Sequence, residues 1–376
     1  MSEDSRPQVT SGLEGVLACY SSVCSIDGPG GVLTYRGYDI RDFVTDASFC
    51  DVAWLLWHAD WPDEAESEAF AAEVASHRHL SEGVSALLAA APLDTANPMA
   101  VLRSAVSLVG AEDPTADDIS RDAVVAKAAR LVGCLPTMVA AMSRYLQGNE
   151  PIAADPSLDH AANFCWMLTG RQPSEQESGA LNALLNTYAE HELNASTFAA
   201  RTTVGTLSDY YSAMVSGIGA VKGPLHGGAV DDAMAVFSEI GEPGGVVSFV
   251  EAALAARRKV PGFGHRVYRT RDPRAIAMDV LAAELGAEAG EPHWHATASA
   301  LEAELHERKG LNANVDYYSA LVLYHLGFPL SMFTSFIVCS RVAGWTAHVL
   351  EQYADNRLIR PRALYDGSAP RPYPVG

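Results

Sequence analysis

Residues 312–319 (NANVDYYS), read together with residues 223–228 (GPLHGG) and 261–275 (PGFGHRVYRTRDPRA), hold the residue types from which acid–base chemistry is built. They supply one carboxylate, Asp316, two loop imidazoles, His226 and His265, and an arginine at a helix start, Arg274. Such a set can remove a proton beside a thioester and add the resulting carbanion to a keto acid.

The local sequence says how each group is presented. Asp272 is a good N-cap and Pro273 a good first helical residue, so Arg274 falls in the first turn, its guanidinium expected to point off the helix end toward an anion. Upstream, Pro261, Gly262 and Gly264 call for a tight loop whose backbone groups are expected to stay accessible. Followed by His265, Arg266, Arg269 and Arg271, that loop suits a polyphosphate. His226 lies between a helical pattern ending near Val221 and another starting near Val230. A helix N-terminus so close favours a neutral, hydrogen-bond-donating imidazole. His191, in HELNASTF, follows an amphipathic helix and reads equally well as a buried structural histidine. A two-histidine, one-carboxylate metal site finds no local support: His293 and His295 merely flank Trp294, and no HExxH or helical i, i+4 pair occurs. No metal and no cofactor are expected.

The elements that must position these groups are mostly helices. Leu181, Leu184, Leu185 and Tyr188 recur on one helix face, and alanine-rich amphipathic stretches fill 64–76, 121–146 and 297–309. Strand signal is confined to an N-terminal hairpin, with Val23 and Ile26 entering a turn at 27–31 and Val32, Leu33 and Tyr35 returning. The uncharged run from Leu321 to Cys339 is long enough for a membrane span. Gly327 and Pro329 break it, so two shorter buried helices are expected instead. At 376 residues and 48% hydrophobic content, the prior is two domains.

Charge and cysteines narrow the class further. A formal net charge of -20, from 46 acidic against 26 basic residues, excludes nonspecific binding to nucleic acid or an anionic membrane. The six cysteines (Cys19, Cys24, Cys50, Cys134, Cys165, Cys339) show no CxxC spacing and read as reduced thiols. The N-terminal MSEDSRPQVT has neither an apolar signal-peptide core nor the arginines of a transit peptide, so a cytoplasmic location is expected.

Taken with GLEGVL, LTYRGYDI, PMAVLR, HELNASTFAAR, SRVAGWTAHVLEQY and RLIRPRALY, these motifs cover nearly the whole chain, which resembles the citrate synthase family in its short archaeal and bacterial form. The resemblance implies a mainly α, two-domain fold: a large helical domain from 1–227 and 328–376, and a small mobile domain from 228–327. It implies a homodimer that condenses acetyl-CoA with oxaloacetate and hydrolyses citryl-CoA to citrate and CoA, in the tricarboxylic acid cycle. By the same resemblance, Asp316 is the general base, His226 stabilises the enol or enolate, and His265 polarises the oxaloacetate carbonyl. His191, Arg274 and Arg341 hold the oxaloacetate carboxylates, with Arg360 arriving from the second subunit. Pro261, Gly262, Phe263, Gly264, Arg266, Arg269, Arg271, Lys309 and Asn314 are the implied CoA contacts.

Two positions depart from the family pattern. Val230 replaces the usual asparagine after GPLHGGA, and Ile337 stands where a phenylalanine is common, with Phe336 one place earlier. The second change leaves 2-methylcitrate synthesis from propionyl-CoA as an alternative, since one methylene is worth only about 1 to 3 kcal/mol of discrimination. A noncatalytic acyl-CoA-binding paralogue is the alternative from another class, and retention of all three acid–base groups weighs against it.

Only four of the 26 basic residues are lysines: Lys127, Lys222, Lys259 and Lys309. This composition fits solubility in concentrated salt, and the arginine bias fits a GC-rich genome equally well. Salt adaptation predicts a melting temperature that rises between dilute buffer and molar KCl as carboxylate repulsion is screened. A melting temperature indifferent to KCl would remove that reading.

Overall fold

The computed structural model describes residues 9–374. The N-terminal stretch read above for targeting signals lies, through residue 8, outside the described residues. The expected hairpin forms from β1 (Cys24–Asp27) and β2 (Val32–Tyr35), antiparallel with Ile26 opposite Leu33, and a short third strand, β3 (Tyr38–Asp39), extends it. Fifteen α-helices follow among the described residues: α1 (Phe49–His58), α2 (Glu64–Ser76), α3 (Glu82–Ala90), α4 (Pro98–Glu112), α5 (Arg121–Leu146), α6 (His160–Thr169), α7 (Glu175–Tyr188), α8 (Ala195–Val204), α9 (Tyr210–Val221), α10 (Ala229–Ile240), α11 (Val246–Ala255), α12 (Pro273–Glu288), α13 (His293–Lys309), α14 (Val315–His325) and α15 (Phe333–Ala354).

Local chemistry accounts for the boundaries. Ser174 and Glu177 form a reciprocal capping box at the start of α7, which then buries Leu181, Leu184, Leu185 and Tyr188 on the expected face. The uncharged run breaks as expected: α14 ends at His325, Gly327 takes φ 86°, and α15 begins at Phe333. By length and composition α5 is apolar enough to cross a membrane, yet 72% of its apolar window is buried within the fold, as for a core helix. All six cysteines are free, four of them buried.

The core is organised around α15. It packs on α1, α5, α7, α8 and α9 and buries nearly all its length, including Phe336, Arg341, Trp345 and His348. Its contact with the segment after α7 matters most for the site. The backbones there come so close that Gly344 N donates to Ala189 O at 3.1 Å. A Cβ on Gly344 would stand 2.3 Å from that carbonyl and 2.1 Å from Glu190 Oε2. Arg341 Nε donates to Tyr188 O at 2.5 Å, and from the other side the buried Tyr35 hydroxyl donates to Glu190 O at 2.9 Å. The turn that carries His191 is therefore clamped between hairpin and helix.

A buried polar chain backs that clamp. Arg201 Nη1 donates to His348 Nδ1 at 3.0 Å and to Glu351 Oε2 at 2.6 Å, which leaves His348 Nε2–H to donate to Glu190 Oε1 at 3.1 Å. Replacing Gly344 by alanine forces backbone apart from backbone. The expected outcome is a loss of about 1 to 3 kcal/mol in denaturant unfolding, with reduced activity from a displaced His191 turn.

Candidate active site

Four loops and one helix face bring the site together. Asp316 stands in the first turn of α14, whose N-cap Asn314 accepts from the Asp316 amide at 3.0 Å. The preceding segment zips onto the glycine loop: Gly264 N donates to Asn312 O at 3.0 Å, Asn314 N to Gly262 O at 2.9 Å, and Asn314 Nδ2 to Gly264 O at 3.1 Å. Glycine is required at 262, where φ is 82° and a Cβ would meet the Tyr317 ring at 2.7 Å. The expectation that this loop leaves its backbone accessible is thus corrected in part, because pairing with 312–314 takes up Gly262 O and both backbone groups of Gly264.

His265 is fixed in one tautomer. Its Nδ1 accepts from the amides of Val267 (3.0 Å) and Tyr268 (3.1 Å), so the proton sits on Nε2. Burial and the nearby Arg274 charge push its pKa down to about 4, leaving a neutral donor at pH 7. His191 packs edge-on against it at 5.2 Å between ring centroids and meets the Tyr268 hydroxyl at 3.3 Å. Burial, then Arg274, hold His191 well below the ordinary imidazole range.

His226 occupies the turn between α9 and α10, bonded through its amide to Gly223 O at 2.9 Å. The turn is close to α9, since a Cβ on Gly227 would stand 2.5 Å from Val221 O. Burial, then Arg341, push the His226 pKa down to about 4. Its Nε2 contacts Ser196 Oγ at 2.8 Å, and that hydroxyl also meets Asn194 Oδ1 at 2.7 Å and accepts from Trp345 Nε1 at 3.1 Å. The single hydroxyl proton decides the tautomer: donated to Asn194 Oδ1, as here, it leaves His226 Nε2–H donating to Ser196, whereas turned to Nε2 it would free Nδ1–H to donate.

Arg274 corrects the sequence reading. Its guanidinium does not reach off the helix end but folds back on its own N-cap, with Nε and Nη2 on the two Asp272 oxygens at 3.0 and 2.8 Å, and the pair is buried. Burial alone would lower its pKa; the Asp272 carboxylate raises it above the ordinary arginine value. Nη1 of Arg274 and both Nη atoms of Arg341 have no hydrogen-bond partner among the described residues, so donors remain for an anion. Burial lowers the Arg341 pKa.

Asp316 is partly buried and accepts from the Tyr188 hydroxyl through Oδ1 at 2.7 Å, leaving Oδ2 for a substrate proton. Burial raises its pKa, against the lowering effects of Tyr188, Arg274 and Arg341. Sequence reading gave Tyr188 only as a core residue and Asp272 only as a cap, and it missed Ser196 and also Asp231, which accepts from Thr334 N at 3.1 Å and Oγ1 at 2.8 Å and which burial pushes up to about 6. Only DP before Arg274, and the serine of NAST, carried a signal that could have found any of them.

The remaining expectations divide. Arg271 is partly engaged within the fold: its Nη2 is held by Asp279 at 2.7 Å and Glu302 at 2.9 Å. Asn314 serves as a cap. Arg266, Arg269 and Lys309 are exposed, Arg266 only 3.7 Å from the equally exposed Glu14. Arg360 is exposed on the C-terminal segment, outside the cluster. Val230 is fully buried, consistent with an apolar replacement, and Phe336 packs edge-on against Tyr188 at 6.3 Å. Cavities of ≈520 and ≈610 Å³ flank His79 and Leu80, and none of His191, His226, His265, Arg274, Asp316 and Arg341 lines either.

Comparison with known proteins identifies the family. The profile described as citrate synthase, C-terminal domain, matches residues 12–362. The chain belongs to the citrate synthase family. A citrate synthase of Haloferax volcanii is 44% identical over 360 residues, 95% of each chain. A 2-methylcitrate synthase of Mycobacterium tuberculosis is 39% identical over 371 residues, 99% of this chain and 94% of the other. Among solved structures, a ternary complex of Thermoplasma acidophilum citrate synthase with carboxymethyl coenzyme A and oxaloacetate superimposes with a TM-score of 0.92 at 32% identity, over 97% of this chain and 98% of that one. The mainly α citrate synthase fold follows, and with it an acyl-transferring enzyme.

Removing the Tyr188 hydroxyl tests the electrostatic account of the base. That hydrogen bond favours the carboxylate, so Tyr188→Phe is expected to raise the Asp316 pKa further and move the acid limb of kcat/KM to higher pH. Below the limb, kcat/KM should fall roughly tenfold, the worth of a hydrogen bond to a charged group. A limb that stays in place or moves down would contradict the account.

Proposed function

We propose that this chain condenses acetyl-CoA with oxaloacetate and hydrolyses the product thioester, releasing citrate and CoA. The observation that carries the proposal is the meeting of two neutral imidazoles, two buried arginines with donors to spare, and one carboxylate whose pKa burial has raised.

Asp316, through Oδ2, takes a proton from the acetyl methyl group as the C–H electrons move toward the thioester carbonyl. His226 donates from Nδ1 to that carbonyl oxygen after the Ser196 hydroxyl swings its proton from Asn194 Oδ1 to His226 Nε2. The carbanion equivalent attacks the keto carbon of oxaloacetate, and His265 Nε2–H polarises and then protonates the oxygen that becomes the citrate hydroxyl. Water cleaves the thioester, leaving a carboxylate and the CoA thiol. His191, Arg274 and Arg341 hold the carboxylates of oxaloacetate, with Arg360 contributed by a second copy of the chain.

One positioned acid or base supplies roughly 10² to 10⁴ in rate. Orientation and preorganised dipoles in a dry cleft must contribute the larger share. Closure of a small domain, 228–327, over a large one built from 1–227 and 328–376 would exclude water from the enol. Packing of α10 to α14 chiefly among themselves supports that division. The exposed Arg266, Arg269 and Lys309 are the side chains proposed to meet the CoA phosphates. A cytoplasmic homodimer completes the proposal.

Propionyl-CoA is kept as a second acyl donor by Ile337 and by the relative named 2-methylcitrate synthase. Thiol release, followed with acetyl-CoA and then propionyl-CoA, each with oxaloacetate, decides between them. The acetyl thioester is expected to react faster, and no release from either would favour an acyl-CoA-binding paralogue. Asp316→Ala should cost roughly 10² to 10⁴ in kcat while oxaloacetate affinity measured by calorimetry stays near wild type. Strong loss of oxaloacetate binding in that variant would contradict the role given to Asp316.

A further inference from the structure

One carboxylate outside the site touches both the segment that carries His265 and Arg274 and the segment that carries Asp316. Glu302 lies on α13, on the face it shares with His295, Ser299 and His306. Its Oε2 accepts from the Tyr318 hydroxyl at 2.6 Å and from Arg271 Nη2 at 2.9 Å, and its Oε1 faces the Ala313 amide at 3.4 Å. Arg271 belongs to the segment running from His265 to Arg274. Ala313 and Tyr318 bracket Asp316 on either side.

The surrounding contacts make this a braced junction. The Arg271 guanidinium stands 5.5 Å over the Tyr318 ring and is also held by Asp279 at 2.7 Å, whose other oxygen meets His295 Nε2 at 2.7 Å. Both Asp279 and His295 therefore fix Arg271 from the helix side; His295 also packs its ring on Tyr318 at 5.9 Å, and Glu302 is the one of these groups that hydrogen-bonds to the Asp316 segment. Its side chain is 17% exposed, at the edge of an open cavity of ≈350 Å³. At the near end of the junction the two segments pair by backbone, through Phe263 opposite Ala313. Glu302 closes the far end.

We propose that Glu302 is a positioning residue for the condensation, setting the distance between the His265 imidazole and the Asp316 carboxylate through Arg271, Tyr318 and the Ala313 amide. The proposal rests on the roles given above to His265 and Asp316. It does not place Glu302 on any substrate. Because proton removal and carbonyl polarisation must occur on neighbouring atoms, an error of about 1 Å between the two groups can cost up to roughly 10² in rate. A carboxylate reaching three donors on two segments restrains that distance more tightly than a neutral amide can.

The test is a kinetic split in the full chain. Glu302→Gln, nearly isosteric, is expected to lower kcat about tenfold, with KM for oxaloacetate changed less than about threefold because His191, Arg274 and Arg341 keep their contacts. The acid limb of the pH profile should stay in place while its height falls. Tyr318→Phe should lower kcat less, and the double variant should be no worse than Glu302→Gln alone, as for groups acting as one unit. Glu239→Gln, which breaks the exposed pair with Arg258, should leave kinetics unchanged.

Wild-type kcat in Glu302→Gln would overturn the proposal. So would a loss fully accounted for by the unfolded fraction, additive losses in the double variant, or an equal loss in Glu239→Gln. Asp316→Asn assayed alongside separates the two layers: inactivity there with a wild-type rate in Glu302→Gln overturns the positioning role alone. Retained turnover in Asp316→Asn overturns the site assignment and the role of Glu302 with it.

Discussion

The carboxylate of Asp272 accepts from the Arg274 amide, from Arg274 Nε and Nη2, and from the Val315 amide at 3.2 Å. It caps α12, neutralises a buried guanidinium and ties the start of α14 to both. A buried charge left without a partner costs several kcal/mol, so Asp272 and Arg274 hold each other in place. Through Val315, the same oxygen fixes the residue next to Asp316. Arg274 and Asp316, the proposed anion-binding and proton-abstracting ends of the site, are thereby tied together by one side chain.

Electrostatics then divides the labour among groups that share one space. At least one guanidinium charge, Arg274 or Arg341, acts on each titratable residue of the cluster, and burial acts on all of them. On imidazoles both effects work in one direction, driving His191, His226 and His265 to the neutral form. On the carboxylate they oppose each other, so Asp316 is raised by burial and partly restored by Tyr188 and the arginines. A neutral donor and a moderately strengthened base can then coexist at one pH. The net charge of -20 makes the arginines more necessary, because the molecule as a whole repels the anions that its cleft must gather.

Much of this was legible in the chain. Capping chemistry placed Arg274 in a first turn, the 3.6-residue pattern placed Tyr188 on a buried face, and Gly327 with Pro329 divided the long apolar run correctly. The three acid–base groups stood out because glycine, proline and capping residues around them announce turns and helix starts. What stayed hidden depends on contacts between residues far apart in sequence. No local rule says that the Tyr188 hydroxyl meets Asp316, that Ser196 meets His226, or that Arg271 is held by Asp279 and Glu302. Arg274 was misjudged for the same reason, since a first-turn arginine points outward unless a neighbouring acid is buried with it.

By itself the sequence determined the inventory: the family, the helical character, and which residue types stand at turns and helix starts. Those features are local, written into backbone preferences and side-chain capping within a few positions. Only the tertiary structure decided protonation, tautomer and which donors remain unspent. Each of these depends on burial and on the charges that distant segments bring within a few ångströms, and neither is encoded in the spacing of residues along the chain.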